Sequence, residues 1–204
     1  KLFALKIPGT GKVFSMNKAK ILVLGPCKSG KTMISNFLSD ATETTDGDYR
    51  PTQGCRILEF EVNNIEVGNK TQMVEIELWD VSGDHKFENC WPAIVRETNG
   101  VIFVYNPDQS NHDKELESWF SYFVVNHGLK DSQCTIFAHH QDSQNQDETG
   151  NIPAAMKKIP VVHTNLEEQG DALRDEFQHY MGTLMTSMSD KREQEELSIM
   201  DSSR

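Results

Sequence analysis

The glycine-rich segment GPCKSGKT occupies residues 25–32, directly after the nearly continuous apolar run KAKILVLG of residues 18–25. Such a run is typical of a strand buried on both faces, and the apolar spacing in MISNFLSD, residues 33–40, predicts a helix. A turn that joins a buried strand to a helix and reads G-x-x-x-x-G-K-[ST] is the pattern of a phosphate-binding loop. The sequence therefore predicts a domain built around this strand, loop and helix.

The loop is predicted to hold phosphate groups mainly through its backbone. Its N–H groups and the N-terminus of the helix surround the phosphates, while the ammonium group of Lys31 reaches the terminal ones. The hydroxyl of Thr32 is a suitable ligand for Mg²⁺. The predicted nucleotide-contacting residues of the loop are Gly25, Cys27, Lys28, Ser29, Gly30, Lys31 and Thr32.

Five more apolar segments predict the remaining strands of a sheet. Residues 55–62 and 73–80 alternate apolar and polar side chains around a linker that contains Asn63-Asn64 and Gly68-Asn69, which is typical of an antiparallel hairpin. Three short apolar runs follow at residues 100–106, 134–140 and 158–165. Strands that alternate with helices predict an α/β fold of the P-loop NTPase type, with a six-stranded, mostly parallel sheet and helices on both faces.

Two further helices are predicted from stripes of apolar residues at the helical period, and both stripes are expected to pack against the sheet. The first stripe consists of Leu116, Trp119, Phe120 and Phe123. The second begins near Gly170 and consists of Leu173, Phe177, Tyr180, Leu184 and Met188. The charged segment after residue 189 is expected to fray.

The composition limits the classes of partner. A net charge of −11 argues against a nucleic-acid-binding protein, because binding to phosphate backbones relies on Lys and Arg. No apolar run reaches the roughly 18 residues of a membrane span. The cysteines lack the spacing of a metal site, so buried thiols in a reducing compartment are expected for Cys27, Cys55, Cys90 and Cys134.

One domain with short terminal segments is expected from a chain of 204 residues. Residues 1–15 are interpreted as an appended leader or expression remnant, residues 16–189 as the folded domain, and residues 190–204 as a charged C-terminal tail. The tail contains no cysteine for prenylation, and no acylation signal is visible at Met16-Asn17. We therefore expect no direct lipid anchor.

The segment WDVSGDHKF, residues 79–87, supplies a second element that is predicted to face the phosphates. Asp80 stands at the end of the third predicted strand, where its carboxylate can hold Mg²⁺ through a water molecule. Gly83, three residues further on, leaves a backbone N–H group free to meet a γ-phosphate. The spacing D-x-x-G is more specific than either residue alone.

This segment resembles the WDTAGQERF block of Rab-type small GTPases, which it matches at Trp79, Asp80, Gly83 and Phe87. The segment PTQG, residues 51–54, resembles the first switch of the same family. The resemblance implies a small G domain that binds GTP or GDP together with Mg²⁺. It also implies that the metal is held by Thr32, Thr52 and, through water, Asp80.

The residue after Gly83 departs from the family pattern. Rab proteins have a glutamine there that orients the attacking water, whereas this chain has Asp84. A carboxylate beside an anionic phosphate is expected to slow hydrolysis, although Asp84 acting as a base remains an alternative. The sequence therefore predicts at most a slow GTPase, with Asp84 at the catalytic position.

The base-reading motif departs further. The family's N-K-x-D motif ends the fifth strand, where residues 139–142 of this chain read HHQD. The surviving Asp142 could accept the paired N–H donors of guanine, or it could be an ordinary surface aspartate at the start of a loop. The two histidines could cover the base, or His139 could be only a strand-end residue. Residues 163–166 correspond only in position to the family's S-A-K loop. The resemblance implies that the base-contacting residues are His140, Asp142, Thr164 and Asn165.

The combination of GPCKSGKT, PTQG, WDVSGDHKFENCWPA and the AHH strand end resembles the divergent Rab-like GTPase subunits of the intraflagellar transport B complex, over roughly residues 17–200. This resemblance implies a guanine-nucleotide-binding subunit of the cytoplasm and cilium that supports cilium assembly. Its implied partners are coiled-coil subunits of that complex. The alternative is a non-switching binding module whose nucleotide only stabilises the fold.

Two surfaces are candidates for the partner contact, namely the switch face around Thr52 and Phe87 and the final helix with its tail. We favour the switch face, because apolar side chains beside it, such as Trp91 and Ile94, can form the centre of an interface. The alternative is that Trp91 belongs to the core.

Overall fold

The computed structural model describes residues 17–41, 50–109, 111–140, 152–166 and 170–202. Within these ranges six strands form one sheet: β1 (Asn17–Leu24), β2 (Cys55–Val67), β3 (Lys70–Val81), β4 (Gly100–Tyr105), β5 (Cys134–His139) and β6 (Val161–Thr164). Their order across the sheet is β2-β3-β1-β4-β5-β6, and β2 alone runs antiparallel to its neighbour. The predicted six-stranded, mostly parallel sheet is confirmed.

Helices cover both faces of this sheet, as predicted. Four α-helices lie in the described ranges: α1 (Lys31–Leu38), α2 (Trp91–Ile94), α3 (His112–Phe120) and α4 (Gly170–Ser202). A five-residue π-helical segment, Ser121–Val125, extends α3, and a 3₁₀ helix, His85–Cys90, precedes α2. Helices α1 and α4 pack on one face of the sheet, whereas α2 and α3 pack on the other.

The central strands β4 and β5 are buried on both faces because nearly all of their side chains are apolar, with Thr135 and His139 as the buried polar exceptions. All six residues of β4 and all six of β5 are buried. Parallel strands that are covered by helices on both sides characteristically have such continuous apolar sequences. The loops at their carboxyl ends therefore begin from a rigid edge, which is where the site residues lie.

The β2–β3 hairpin differs in detail from the prediction. The turn is formed by Gly68-Asn69 alone, between Val67 and Lys70, and Gly68 has a φ of +59°. Asn63-Asn64, which the sequence places in the linker, instead interrupts the strand register between Val62 and Ile65 as a bulge, with φ of +61° at Asn64. Asparagine tolerates this left-handed conformation better than most residues, which explains its position in the bulge.

Helix α4 confirms the predicted stripe and corrects its end. Leu173, Phe177, Tyr180 and Leu184 are buried against the sheet, and Met188 packs against the same cluster. The segment after residue 189, which we expected to fray, continues the helix to Ser202. Good helix formers such as Glu, Gln, Lys and Arg dominate this segment, so helical propensity extends the helix beyond the core.

The aromatic side chains of α2 and α3 form one cluster, and this cluster corrects the predicted role of Trp91. The Trp91 ring lies 4.7 Å from the ring of Trp119, 4.9 Å from that of Tyr122 and 5.1 Å from that of Phe123. Only 5% of Trp91 and 3% of Ile94 are exposed. Their prediction as exposed contact residues was wrong, because Trp91 packs on the aromatic rings of α3 and its extension and Ile94 belongs to the same buried cluster.

The cysteine prediction holds in part. Cys134 is buried and Cys55 is half-buried, but Cys27 and Cys90 are exposed, and all four thiols are free. None of the described helices is both long enough and apolar enough to cross a membrane.

Candidate functional site

The phosphate-loop motif lies between β1 and α1, as the sequence predicts. Gly30 caps α1 with a φ of +96°, and a Cβ atom at this position would lie 2.3 Å from His139 Cδ2. A side chain is therefore excluded by conformation and by space. Lys28 also has a positive φ, of 60°, while Ser29 is buried and Cys27 and Lys28 are exposed. The loop consequently curls over the start of α1, the geometry in which backbone N–H groups can receive an anion.

Lys31 lies inside this curl. Its ammonium group donates hydrogen bonds to the carbonyl oxygens of Gly25, at 2.8 Å, and Pro26, at 2.5 Å. Only 6% of the residue is exposed, and burial lowers the pKa of Lys31 to about 8. The ammonium group is thus held by the loop at the place where the terminal phosphates of a nucleotide would need a cation.

The three residues that the sequence predicts as metal ligands, Thr32, Thr52 and Asp80, lie together at the start of α1. Thr32 Oγ1 donates to Asp80 Oδ2 at 2.8 Å and lies 3.0 Å from Thr52 Oγ1. Asp80 is fully buried, and its Oδ1 atom has no hydrogen-bond partner in the part of the chain that the structure describes. Burial raises the pKa of Asp80. Two hydroxyls and a buried carboxylate with an unused oxygen are hard donors that fit Mg²⁺.

Gly83 brings the second phosphate-facing segment against the first. A Cβ atom on Gly83 would lie 2.5 Å from the backbone nitrogen of Cys27, so only glycine permits this approach. The adjacent Ser82 donates its backbone N–H to the carbonyl of Gly54, at 2.9 Å. The loop after β3 therefore contacts both the phosphate loop and the segment that contains Thr52.

The carboxylate of Asp84, which follows Gly83 in this loop, is bound by Lys86. This carboxylate caps the 3₁₀ helix by accepting from the backbone N–H of Lys86 at 3.0 Å, and it lies 2.8 Å from the ammonium group of the same residue. The hydrogen bond with the Lys86 side chain lowers the pKa of Asp84. The carboxylate is therefore ionised at neutral pH and already occupied by Lys86.

His139 ends β5 beneath the phosphate loop. It is 2% exposed, its Nδ1 lies 3.2 Å from the hydroxyl of Thr164, and burial lowers its pKa. Because its ring fills the space below Gly30, His139 links the phosphate loop to the loop after β6. The strand-end alternative for this histidine is thus the one that the geometry favours.

The other residues expected to contact the base lie beside His139. His140 Nε2 lies 3.0 Å from His163 Nδ1, and the two rings stack at 5.3 Å. His140, Thr164 and Asn165 are all buried at the carboxyl ends of β5 and β6. Asp142, the implied guanine-reading carboxylate, lies outside the described residues.

Three site residues were not identified from the sequence: Arg56, Asn36 and His163. Arg56 lies opposite Asp80 in the β2–β3 register, with its guanidinium 3.5 Å from Asp80 Oδ2, and it also donates to Asn36 on α1. His163 pairs with His140. The register of the hairpin could have identified Arg56, because the two predicted strands contain Arg56 and Asp80. The predicted linker was too long, however, and the length of the turn determines which residues of the two strands lie opposite each other.

A well-formed cavity of about 710 Å³ lies between β6 and α4 in the part of the chain that is described, and of the site residues it reaches His163. Its lining includes Val161, Glu176 and Tyr180 and no residue of the phosphate loop. We therefore place the functional site at the loop on chemistry and geometry, since an open phosphate-binding surface need not form an enclosed cavity.

The antiparallel edge hairpin on a parallel sheet, with a phosphate loop after β1 and an aspartate–glycine loop after β3, defines the class of small G domains among P-loop NTPases. A family model described as "Ras of Complex, Roc, domain of DAPkinase" matches residues 20–142. The chain belongs to this family of G domains and to the intraflagellar transport protein 22 family, of which two members match it over their full length.

Two of these relatives are called intraflagellar transport protein 22 homolog. The protein from Danio rerio is 47% identical over 186 residues, which are 91% of this chain and 100% of the relative. The human protein is 45% identical over the same shares of both chains. The resemblance to Rab-like GTPases of intraflagellar transport, stated above from the motifs, is confirmed.

Solved structures of the Trypanosoma brucei protein agree with this assignment. A structure described as GTP-bound IFT22 has a TM-score of 0.64 at 29% identity and covers 83% of this chain and 96% of its own. A GTP-bound structure of the complex IFT22/74/81 has a TM-score of 0.60 at 29% identity, with shares of 84% and 99%. A GDP-bound structure of IFT22 gives the same TM-score and identity, with shares of 85% and 99%.

Proposed function

We propose that this chain binds GTP or GDP together with Mg²⁺ at the phosphate loop and acts as a subunit of the intraflagellar transport B complex. The observation that carries the proposal is the meeting of Thr32, Thr52 and Asp80 beside the curled loop that holds Lys31. The GTP-bound and GDP-bound descriptions of the Trypanosoma brucei relative support the choice of nucleotide.

The proposed contacts follow from the positions of the residues. Backbone N–H groups between Gly25 and Thr32 surround the phosphates, Lys31 contacts the terminal ones, and Gly83 faces the γ-phosphate. Thr32, Thr52 and, through a water molecule, Asp80 would hold Mg²⁺, which would neutralise phosphate charge when bound. His140, Thr164 and Asn165 line the base side, to which Asp142 would add the carboxylate that accepts from guanine.

Slow or absent hydrolysis is part of the proposal. Asp84 stands where the water-orienting amide of a Rab protein would be, and its carboxylate is bound to Lys86. An ionised group that faces Lys86 can neither present an amide to the attacking water nor approach the γ-phosphate without repulsion. The same observation favours a second candidate, a non-switching module in which the nucleotide only stabilises the folded state.

Assembly is proposed from the relatives. The Trypanosoma brucei protein was crystallised in the complex IFT22/74/81. We infer that this chain assembles with the corresponding subunits, that these are coiled-coil proteins, and that the protein occurs in the cytoplasm and cilium. The strongly acidic chain, with its charge of −11, is suited to a stoichiometric protein contact rather than to an anionic membrane surface.

Titration calorimetry with GTP, GDP and ATP in MgCl₂ tests nucleotide binding. The wild-type protein is expected to bind both guanine nucleotides more tightly than ATP, and Lys31→Ala is expected to abolish binding. Thr32→Ala is the matched variant, since it removes one oxygen ligand and should reduce affinity only when Mg²⁺ is present. Equal affinity of Lys31→Ala and wild type would show that the loop is not the site.

A further inference from the structure

An arginine is built into the metal side of the site. Arg56 on β2 lies directly opposite Asp80 on β3 in the antiparallel register. Its Nη2 atom is 3.5 Å from Asp80 Oδ2, the same oxygen that accepts from Thr32. The side chain of Arg56 is 27% exposed, whereas that of Asp80 is fully buried. The guanidinium is therefore partly exposed, whereas the carboxylate beside it is not.

The position of this guanidinium is fixed from a second side. Arg56 Nη2 donates to Asn36 Oδ1 at 2.5 Å, and Asn36 belongs to α1, the helix that begins at Lys31. The arginine thus connects the strand that follows Thr52, the strand that ends at Val81 just after Asp80, and the phosphate-loop helix. The contact with Asp80 places the positive charge beside one of the proposed metal ligands, and the hydrogen bond to Asn36 holds it there.

A buried carboxylate requires a counter-charge, because removing an ion from water without compensation is costly. Mg²⁺ supplies such a charge when a nucleotide complex is bound, and Arg56 supplies one from within the protein. The two cations act on the same carboxylate and repel each other. A fixed guanidinium therefore stabilises the metal-free site and weakens the binding of the metal.

We propose that Arg56 is an internal counter-ion of Asp80 that makes nucleotide binding less dependent on Mg²⁺. This inference rests on the proposed function, because it assumes that Asp80 serves the metal of a bound nucleotide. With such a counter-ion the protein retains its nucleotide when the concentration of free Mg²⁺ falls, which suits a long-lived subunit.

The first test measures the affinity for a fluorescent GDP analogue in excess MgCl₂ and in excess chelator. In Arg56→Gln the ratio of the dissociation constant in chelator to that in MgCl₂ is expected to rise about tenfold, because the charge that competes with Mg²⁺ is gone. For the same reason, the Mg²⁺ concentration that half-saturates the site should fall. Arg56→Lys, which keeps the charge, should stay closer to wild type. The matched control is Arg174→Gln, which removes an arginine bonded to Phe37 and Asp40 at the other end of α1. An unchanged or smaller ratio in Arg56→Gln overturns the proposal.

The second test does not require a nucleotide. Thermal unfolding of the metal-free, nucleotide-free protein is compared for wild type, Arg56→Gln, Asp80→Asn and the double variant. Arg56→Gln is expected to lower the midpoint when Asp80 is present and to have little effect in the Asp80→Asn background, because the charge to be compensated is gone. An equal fall of the unfolding midpoint in both backgrounds overturns the proposal that Arg56 is the counter-ion of Asp80. If the wild type binds no GDP, the proposed function fails, while this cycle still decides whether Arg56 compensates Asp80.

Discussion

Lys31 and Asp80 are two charged side chains buried beside the phosphate loop. Burial lowers the pKa of Lys31 to about 8 and raises that of Asp80. Both shifts favour the neutral forms, whereas a phosphate group and a divalent cation would favour the charged ones. Ligand binding at this site is therefore expected to be coupled to the binding and release of protons.

The pH dependence of nucleotide affinity follows from Lys31. In the free protein Lys31 loses its proton as the pH rises through about 8, whereas bound phosphate oxygens keep it protonated. Affinity for GDP should therefore be constant below that pH and fall above it, approaching about tenfold per pH unit. Fluorescence titration between about pH 7 and pH 9 measures this. The Lys31→Arg variant is the control, because arginine stays charged across this range and the nucleotide titrates equally in both proteins. A wild-type curve parallel to that of Lys31→Arg would contradict the prediction.

The effect of Asp84 on hydrolysis gives a second prediction at this scale. Asp84→Gln removes an anion from the γ-phosphate side and restores a water-orienting amide. Single-turnover hydrolysis of GTP should accelerate, by about tenfold at most, because small GTPases without an activating arginine are themselves slow. Lys86→Gln serves as the control, since it releases Asp84 without removing its charge and should not accelerate the reaction. A slower rate in Asp84→Gln would instead identify Asp84 as a working base.

At the scale of elements, long periodic patterns and uninterrupted apolar runs predicted strands and helices well. Burial could be predicted directly from the apolar stripes of α3 and α4 and from the continuous apolar runs of β1, β4 and β5. The short α2 has only four residues, so no period reveals its buried face. The burial of Trp91 depends on aromatic residues about thirty positions away, at Trp119 and Tyr122.

The site residues divide in the same way, into those that local motifs predict and those that only the fold brings together. The phosphate loop and the Asp80–Gly83 segment are local motifs with a fixed geometry, and the residues predicted there lie together. Arg56 contacts Asp80 through strand register, and His140 contacts His163 across two strands. Such contacts join residues that no local spacing connects, so they require the three-dimensional structure.

The aromatic cluster of α2 and α3 makes a prediction about stability. Trp91 is 5% exposed and packs on three aromatic rings. Trp91→Ala should lower the free energy of unfolding by about 3–5 kcal/mol, the usual cost of removing a large aromatic side chain from a core. Ile57→Ala is the control, since Ile57 is 49% exposed on β2 and its truncation should cost about 0.5 kcal/mol or less. Chemical denaturation measures both, and equal small losses would contradict the assignment of Trp91 to the core.

At the scale of the whole molecule, the question is which surface holds the partner. With Trp91 buried, the exposed large apolar residue closest in sequence to Thr52 among the described residues is Ile57, on the edge strand β2. The stripe of α4 is used by the core, and the helix beyond residue 189 is charged. The switch face therefore remains the proposed contact surface.

Capture of the protein by the proposed partner pair, the counterparts of subunits 74 and 81, tests this choice. Thr52→Ala and Ile57→Glu should each weaken the interaction, because one disturbs the nucleotide-facing segment and the other places a charge on the contact surface. Deletion of residues 190–204 should leave it intact. Val125→Glu is the matched control, since Val125 is 59% exposed at the end of the π-helical segment that extends α3. Loss of binding on tail deletion alone would place the contact on α4.

Mass spectrometry of the nucleotide released from purified protein tests the central claim most directly. The site combines a loop that holds Lys31 inside its curl with three hard oxygen donors, and on this account the protein carries guanine nucleotide from its source. We predict GTP or GDP in near-stoichiometric amount from the wild-type protein and none from Lys31→Ala. Adenine nucleotide, or the same guanine nucleotide from both proteins, would contradict a guanine-nucleotide site at residues 25–32.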